Sequence, residues 1–219
     1  MDRNYVIESI LKNKIIVIMR GLTPDRLIRT VEAMEKGGIR LVEVTFDQSG
    51  KTPDAVTAEN IRLLTETFEG RVLVGAGTVM IAEQAELAAA AGAKFIISPD
   101  SCREVIERTV ELGMVSIPGV FTPTEAANAH RWGADFVKLF PNSEVNISYL
   151  KCLTVPLSHI RFLAVGGVNA DNLADYLAAG AVGVGVATSI VNKKLISEER
   201  YDEITAAALS HTKAAGVEA

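Results

Sequence analysis

The chain has 219 residues, 48% hydrophobic, 22% charged and only 5% aromatic, which allows one large domain with an aliphatic core and excludes disordered and fibrous classes. A net charge of −5 without a basic stripe argues against a nucleic-acid partner, because phosphate binding is driven by clustered Lys and Arg. Apolar runs such as 163–168 are broken by Gly far short of the roughly 20 residues of a membrane helix, and the polar start lacks the apolar stretch of a signal peptide, so no membrane partner and a cytoplasmic location are expected.

Short β-branched runs alternate with longer amphipathic stretches, the signal for βα units and a parallel sheet. A short N-terminal helix around 3–12 is followed by eight expected strands: 15–19, 41–44, 72–74, 94–97, 115–117, 135–139, 161–165 and 182–186. Thr23-Pro24, Thr52-Pro53 and Thr122-Pro123-Thr124-Glu125 place a capping residue and a Pro at helix starts. Gly37-Gly38, Gly92, Gly113, Gly133 and Gly180 end the helices before the next strand. Eight such units without a composition break predict one α/β domain over residues 1–219, a single (β/α)8 TIM barrel with a short N-terminal helix. An open doubly wound sheet also alternates βα units, but neither nucleotide fingerprint occurs, and Gly75-Ala76-Gly77 lacks the third glycine.

In a closed barrel the active site lies at the carboxyl ends of the strands. That edge carries Arg20, Glu43 and Thr45, Thr78 after Gly75-Ala76-Gly77, Pro99, Lys138 with Phe140, Gly166-Gly167 and Thr188-Ser189. Alternation puts Phe136, Lys138 and Phe140 on one face, a lysine between two aromatic rings. Structurally, such a lysine snorkels to the barrel mouth or pairs with a carboxylate. Functionally it is a Schiff-base nucleophile, because desolvation disfavours the ammonium and frees the amine to attack a carbonyl. Leu41, Glu43 and Thr45 share a face while Val42 and Val44 turn to the helices, so Glu43 points into the barrel. There it either forms an ion pair with Lys138 or moves protons for an imine-forming lysine. Gly166-Gly167-Val168-Asn169, with Asp171 opening a helix, and Thr188-Ser189 offer bare amides after strands seven and eight, the recurrent phosphate site of this fold. Cys102, Cys152, His130, His159 and His211 are too scattered for a metal site and read as packing or surface residues.

Taken in order, Glu43-Val44-Thr45, Val74 to Val79, Ile97-Ser98-Pro99, Ile117-Pro118-Gly119, Phe136 to Pro141 and Val165 to Val168 resemble the successive motifs of the 2-keto-3-deoxy-6-phosphogluconate and 4-hydroxy-2-oxoglutarate aldolases, over roughly residues 5 to 200. The resemblance implies a metal-independent class I aldolase, without cofactor and commonly a homotrimer, whose small-molecule partners are a 2-oxo acid and an aldehyde. It implies Lys138 as the Schiff-base lysine and Glu43 as the general acid/base. Thr78 and Pro99 would line the pyruvate pocket beside Phe140, while Gly166, Gly167 and Ser189 would hold a substrate phosphate. Many phosphogluconate-type members carry an arginine where this chain has Asp47, and Arg20 is the expected substitute for gripping the substrate carboxylate; Thr45, on the Glu43 face, is a further expected substrate-binding residue. Val165 replaces a hydroxyl-bearing residue common in phosphogluconate-cleaving relatives, which keeps the C4 epimer and 4-hydroxy-2-oxoglutarate open as substrates. Two other readings are a sugar-phosphate isomerase or epimerase barrel working without an imine, and a non-catalytic binder of 2-oxo acids.

Overall fold

The computed structural model describes residues 2–217. Helix α1 (Arg3–Asn13) precedes β1 (Ile15–Met19), α2 (Pro24–Lys36), β2 (Leu41–Thr45), α3 (Asp54–Phe68), β3 (Leu73–Gly77), α4 (Ala82–Ala90), β4 (Phe95–Ile97), α5 (Arg103–Glu111) and β5 (Val115–Ile117). Then follow β6 (Gly119–Val120), α6 (Pro123–Arg131), β7 (Val137–Leu139), a 3-10 turn at Asn142–Glu144, α7 (Ile147–Thr154), β8 (Phe162–Val165), α8 (Leu173–Ala178), β9 (Gly183–Val186), α9 (Lys193–Ser197) and α10 (Tyr201–Ala214).

All ladders are parallel, in the order β5-β4-β3-β2-β1-β9-β8-β7-β6, which follows the chain around a ring with no reversal of the kind that marks a doubly wound sheet. The barrel is nearly closed. The fifth strand, expected at 115–117, forms there and continues past Pro118 in a second short piece that was not expected; Pro118, with no N–H to give to a ladder, divides the two. Its first piece pairs with β4 and its second with β7. The seam is bridged where Asp135 and Phe136 donate to the Ser116 carbonyl at 3.1 and 3.3 Å, and Lys138 to the Pro118 carbonyl at 2.8 Å.

The expected alternation divides the core into two. Ile16, Leu41, Leu73, Phe95, Ile97, Val115, Ile117, Phe136, Leu163 and Val165 fill the barrel, and Val6, Ile7 and Ile10 of α1 plug its lower end. Val17, Val42, Val44, Val74, Ala76, Ile96, Val137 and Leu139 pack outward against the helices. Each large aliphatic side chain so buried contributes about 1.5–3 kcal/mol. Arg3 fastens the plug by gripping Asp135 at 2.8 and 2.9 Å, and the same carboxylate accepts the Ser116 N–H at 2.9 Å.

Helix starts follow the sequence cues unevenly. Thr122 and Glu125 form a complete capping box on α6, with Pro123 in the first turn. Thr52 does not cap α3: Pro53 occupies the cap position, and the Thr52 N–H instead donates to Asp47 at 2.9 Å. Gly133 and Gly180 end their helices at φ of +100° and +105°, where a β-carbon is costly.

Candidate active site

Two titratable side chains face the interior of the upper barrel. Lys138, in mid-β7, is 7% exposed and Glu43, in mid-β2, is 2% exposed. Both face inward because the apolar residues beside them in sequence are needed by the helices. Glu43 lies across Gly77, where a β-carbon would stand 1.6 Å from Oε1, and Gly75 similarly admits the Phe95 ring, with a β-carbon there 2.1 Å from it. The glycines that failed as a nucleotide fingerprint therefore make room for side chains inside the barrel.

The side chains of Lys138 and Glu43 make neither a hydrogen bond nor an ion pair with each other or with any described residue, so the structural ion pair that the sequence also allows does not form. The Lys138 ammonium lies 4.6 Å from the Phe140 ring centroid. Burial holds the Lys138 amine below the ordinary lysine range; Glu43 opposes that displacement and the Arg20 cation adds to it. Burial likewise pushes the Glu43 carboxyl up, against the pull of Lys138 and Arg20. Both displacements favour the neutral forms, an amine ready to attack and a carboxyl able to exchange protons.

The two groups open into a cavity of about 640 Å³, which all the expected site residues line except Thr45: Arg20, Thr78, Pro99, Phe140, Gly166, Gly167 and Ser189 join Lys138 and Glu43. Thr45 lines a neighbouring cavity of about 700 Å³ that holds neither Lys138 nor Glu43 but shares Arg20 and Thr78. Its hydroxyl accepts from Arg20 Nε at 3.3 Å, and Arg20 Nη2 donates to the Thr78 hydroxyl at 3.4 Å. Thr45 thus orients the guanidinium rather than lining the reaction cavity. Thr78 adopts φ +54°, a rare conformation for a β-branched residue, and Gln48 pins it by donating to its carbonyl at 2.8 Å. Asp47 stays outside the reaction cavity. It accepts from the Ser49 N–H at 2.9 Å, the Ser49 hydroxyl at 2.7 Å and the Thr52 N–H, and these bonds bring its carboxyl down to about 2.

At the other end, Gly166 and Gly167 turn at φ +109° and +72°. Among the described residues, the backbone N–H groups of Gly166, Gly167, Val168, Thr188 and Ser189 have no protein acceptor, and all five residues line the cavity. Helix α8 begins at Leu173, not at Asp171 as expected. Asn169 and Asn172 exchange side-chain bonds with the turn and occupy the N–H groups of Asn169, Asp171 and Asn172. The open amides therefore belong to the loop itself.

Sequence reasoning missed two residues here. Lys193 lines the same cavity as Ser189; its position shortly after Thr188-Ser189 is the available signal. His211 was read as an ordinary packing or surface residue; it is 3% exposed and reaches Ser189 Oγ with Nε2 at 3.0 Å, while Nδ1 lies 2.7 Å from the Ala207 carbonyl. A carbonyl only accepts, so Nδ1 carries a proton, and the Ser189 hydroxyl sits between Nε2 and the Val168 carbonyl, 3.4 Å away. No sequence pattern links two residues on separate elements this way. Among the described residues no three His, Cys, Asp or Glu side chains gather as metal ligands, Cys102 and Cys152 are free, and no helix is long and apolar enough to cross a membrane.

A buried, unpaired lysine and glutamate at the mouth of a parallel α/β barrel place the chain among the barrel aldolases, which are carbon–carbon lyases. The family model for KDPG and KHG aldolase matches residues 6–207, and the chain belongs to that family. It is 36% identical over 180 residues to the 2-dehydro-3-deoxy-6-phosphogalactonate aldolase of Escherichia coli K12, covering 82% of this chain and 85% of that one. It is 30% identical over 213 residues to the 2-dehydro-3-deoxy-phosphogluconate aldolase of Treponema pallidum, covering 97% and 98%. Among solved structures, the KDPG aldolase of Legionella pneumophila, with pyruvate captured at low pH as a covalent carbinolamine, superposes with a TM-score of 0.83 at 28% identity, over 93% of this chain and 97% of that one.

Proposed function

We propose that this enzyme cleaves a 2-keto-3-deoxy-6-phosphohexonate of the galactonate type to pyruvate and glyceraldehyde 3-phosphate through an imine on Lys138. The observation that carries the reading is the pair of buried, mutually unbonded groups, Lys138 and Glu43, opening into one cavity. The free amine of Lys138 attacks C2 of the 2-oxo acid, and the Glu43 carboxyl gives its proton to the carbinolamine hydroxyl, which leaves as water and yields a protonated imine beside a Glu43 carboxylate. The C3–C4 bond then breaks, its electron pair moving into the C2–C3 bond of an enamine as the imine nitrogen is neutralised. Glu43 accepts the C4 hydroxyl proton as the aldehyde leaves. Protonation at C3 and hydrolysis release pyruvate and restore the amine. Arg20, oriented by Thr45 and Thr78, grips the C1 carboxylate in place of the arginine that Asp47 displaces.

Two observations favour the phosphorylated galactonate over its relatives. The five open amides at the far end suit a phosphate, which 4-hydroxy-2-oxoglutarate lacks. Val165 presents only methyl groups to the cavity and gives no hydrogen bond to a sugar hydroxyl, in keeping with the similarity to the Escherichia coli phosphogalactonate enzyme. The test is incubation with pyruvate and borohydride: a reduced pyruvyl adduct is expected on Lys138 by peptide mass spectrometry, and none on Lys138→Met. A wild-type chain without adduct refutes the imine on Lys138. A coupled pyruvate assay with both phosphohexonate epimers and 4-hydroxy-2-oxoglutarate then ranks the substrates.

A further inference from the structure

Four charged side chains line the reaction cavity: Arg20, Glu43, Lys138 and Lys193. The first three form one electrostatic group, since the charges acting on Glu43 and Lys138 are each other's and that of Arg20. Lys193 stands apart from them: it is not among the charges that act on Glu43 or Lys138, and it opens α9 four residues beyond Ser189, which also lines the cavity. It is exposed and, among the described residues, makes no ion pair, whereas its neighbour Lys194 reaches Glu198 at 3.9 Å.

Beyond the five open loop amides, the other donors next to Lys193 are already committed. Asn192 accepts from the N–H groups of Lys194 and Leu195 at 3.0 and 3.3 Å, so the start of α9 is closed by its own cap. The Ser189 hydroxyl is engaged by His211 Nε2 at 3.0 Å and by the Val168 carbonyl at 3.4 Å, so its backbone N–H is the donor it keeps for an anion. Five neutral amides can hold the oxygens of a dianion, but a lysine is the point charge that balances it.

Building on the aldolase reading above, we propose that Lys193 is the specificity-determining cation of the distal subsite, pairing with the terminal phosphate of the substrate and setting the preference for phosphorylated over unphosphorylated 2-oxo acids. The loop after β9 positions it, and the capped start of α9 keeps it there.

The experiment compares wild type, Lys193→Met and Lys193→Arg on 2-keto-3-deoxy-6-phosphogalactonate and on the same acid without its phosphate. Lys193→Met is expected to raise KM for the phosphorylated acid about tenfold, as for one solvent-facing charge-assisted bond, with kcat and the unphosphorylated KM unchanged. Lys193→Arg keeps the charge and restores the wild-type KM. An unchanged KM ratio in Lys193→Met, or an equal rise for both substrates, overturns the proposal. Borohydride trapping of pyruvate runs beside the kinetics. Adduct on Lys138 with an unchanged KM ratio removes Lys193 alone, whereas wild-type chain without adduct removes the aldolase reading and this proposal together.

Discussion

At the end of the cavity that holds Lys138 and Glu43 the wall is made of strand, and its working groups are side chains buried by the barrel itself. At the end that holds Gly167, Val168 and Thr188 the wall is made of loop, and its working groups are backbone amides with one exposed lysine at the rim. The difference follows from the task each end serves in the proposed reaction. Bond making needs an amine stripped of water and a carboxyl displaced from its usual range, conditions that only a packed interior maintains. Holding a phosphate needs donors that are already charged or dipolar, which loops supply without burying a charge.

That contrast is open to attack from both ends. The largest effect belongs to Glu43→Gln, which should cut kcat by about 10² to 10⁴ while the pyruvate adduct still forms. Unchanged turnover in the coupled assay would return Glu43 to a packing role and dissolve the division. Next comes Val165→Thr, at the boundary between the two ends. It should shift the kcat/KM ratio of gluconate to galactonate substrate by about tenfold toward gluconate, ~1.4 kcal/mol; an unmoved ratio would show that Val165 does not read C4.

The smallest effect is a displacement in pH. Because burial lowers the Lys138 value, the free amine becomes available as pH rises through a point below the ordinary 10.5, and adduct formation should increase with pH and level off before that value. Glu43 opposes the lowering, so Glu43→Gln should move the rise to still lower pH. Stopped-time borohydride trapping across the pH range measures both. A rise centred on 10.5 in wild type would mean that the amine is solvated after all.

The deeper end of the site was more legible in sequence than the outer end. Glu43 and Lys138 declare their faces through alternation with Val42, Val44, Val137 and Leu139, because strand periodicity is a local property of the chain. Loop amides have no such rule. Asp171 looked like a helix start, but the reciprocal bonds of Asn169 and Asn172 moved that start to Leu173. Thr52 looked like a cap, yet its N–H serves the Asp47 turn. Thr45 shared the inward pattern of Glu43, but one step further along the strand it turns to Arg20 and a different cavity.

By itself the sequence determined the succession of βα units, the inward face of each strand and the residue types at the barrel mouth, since each rests on spacing and turn chemistry within a few residues. Only the tertiary structure decided that Pro118 divides the closing strand, that Gly77 clears the space for Glu43, that the Lys138 and Glu43 side chains stay unbonded, and that His211 on the last helix meets the Ser189 hydroxyl. Each of these joins residues on different elements, and their distances are set by how the ring closes rather than by any repeat along the chain.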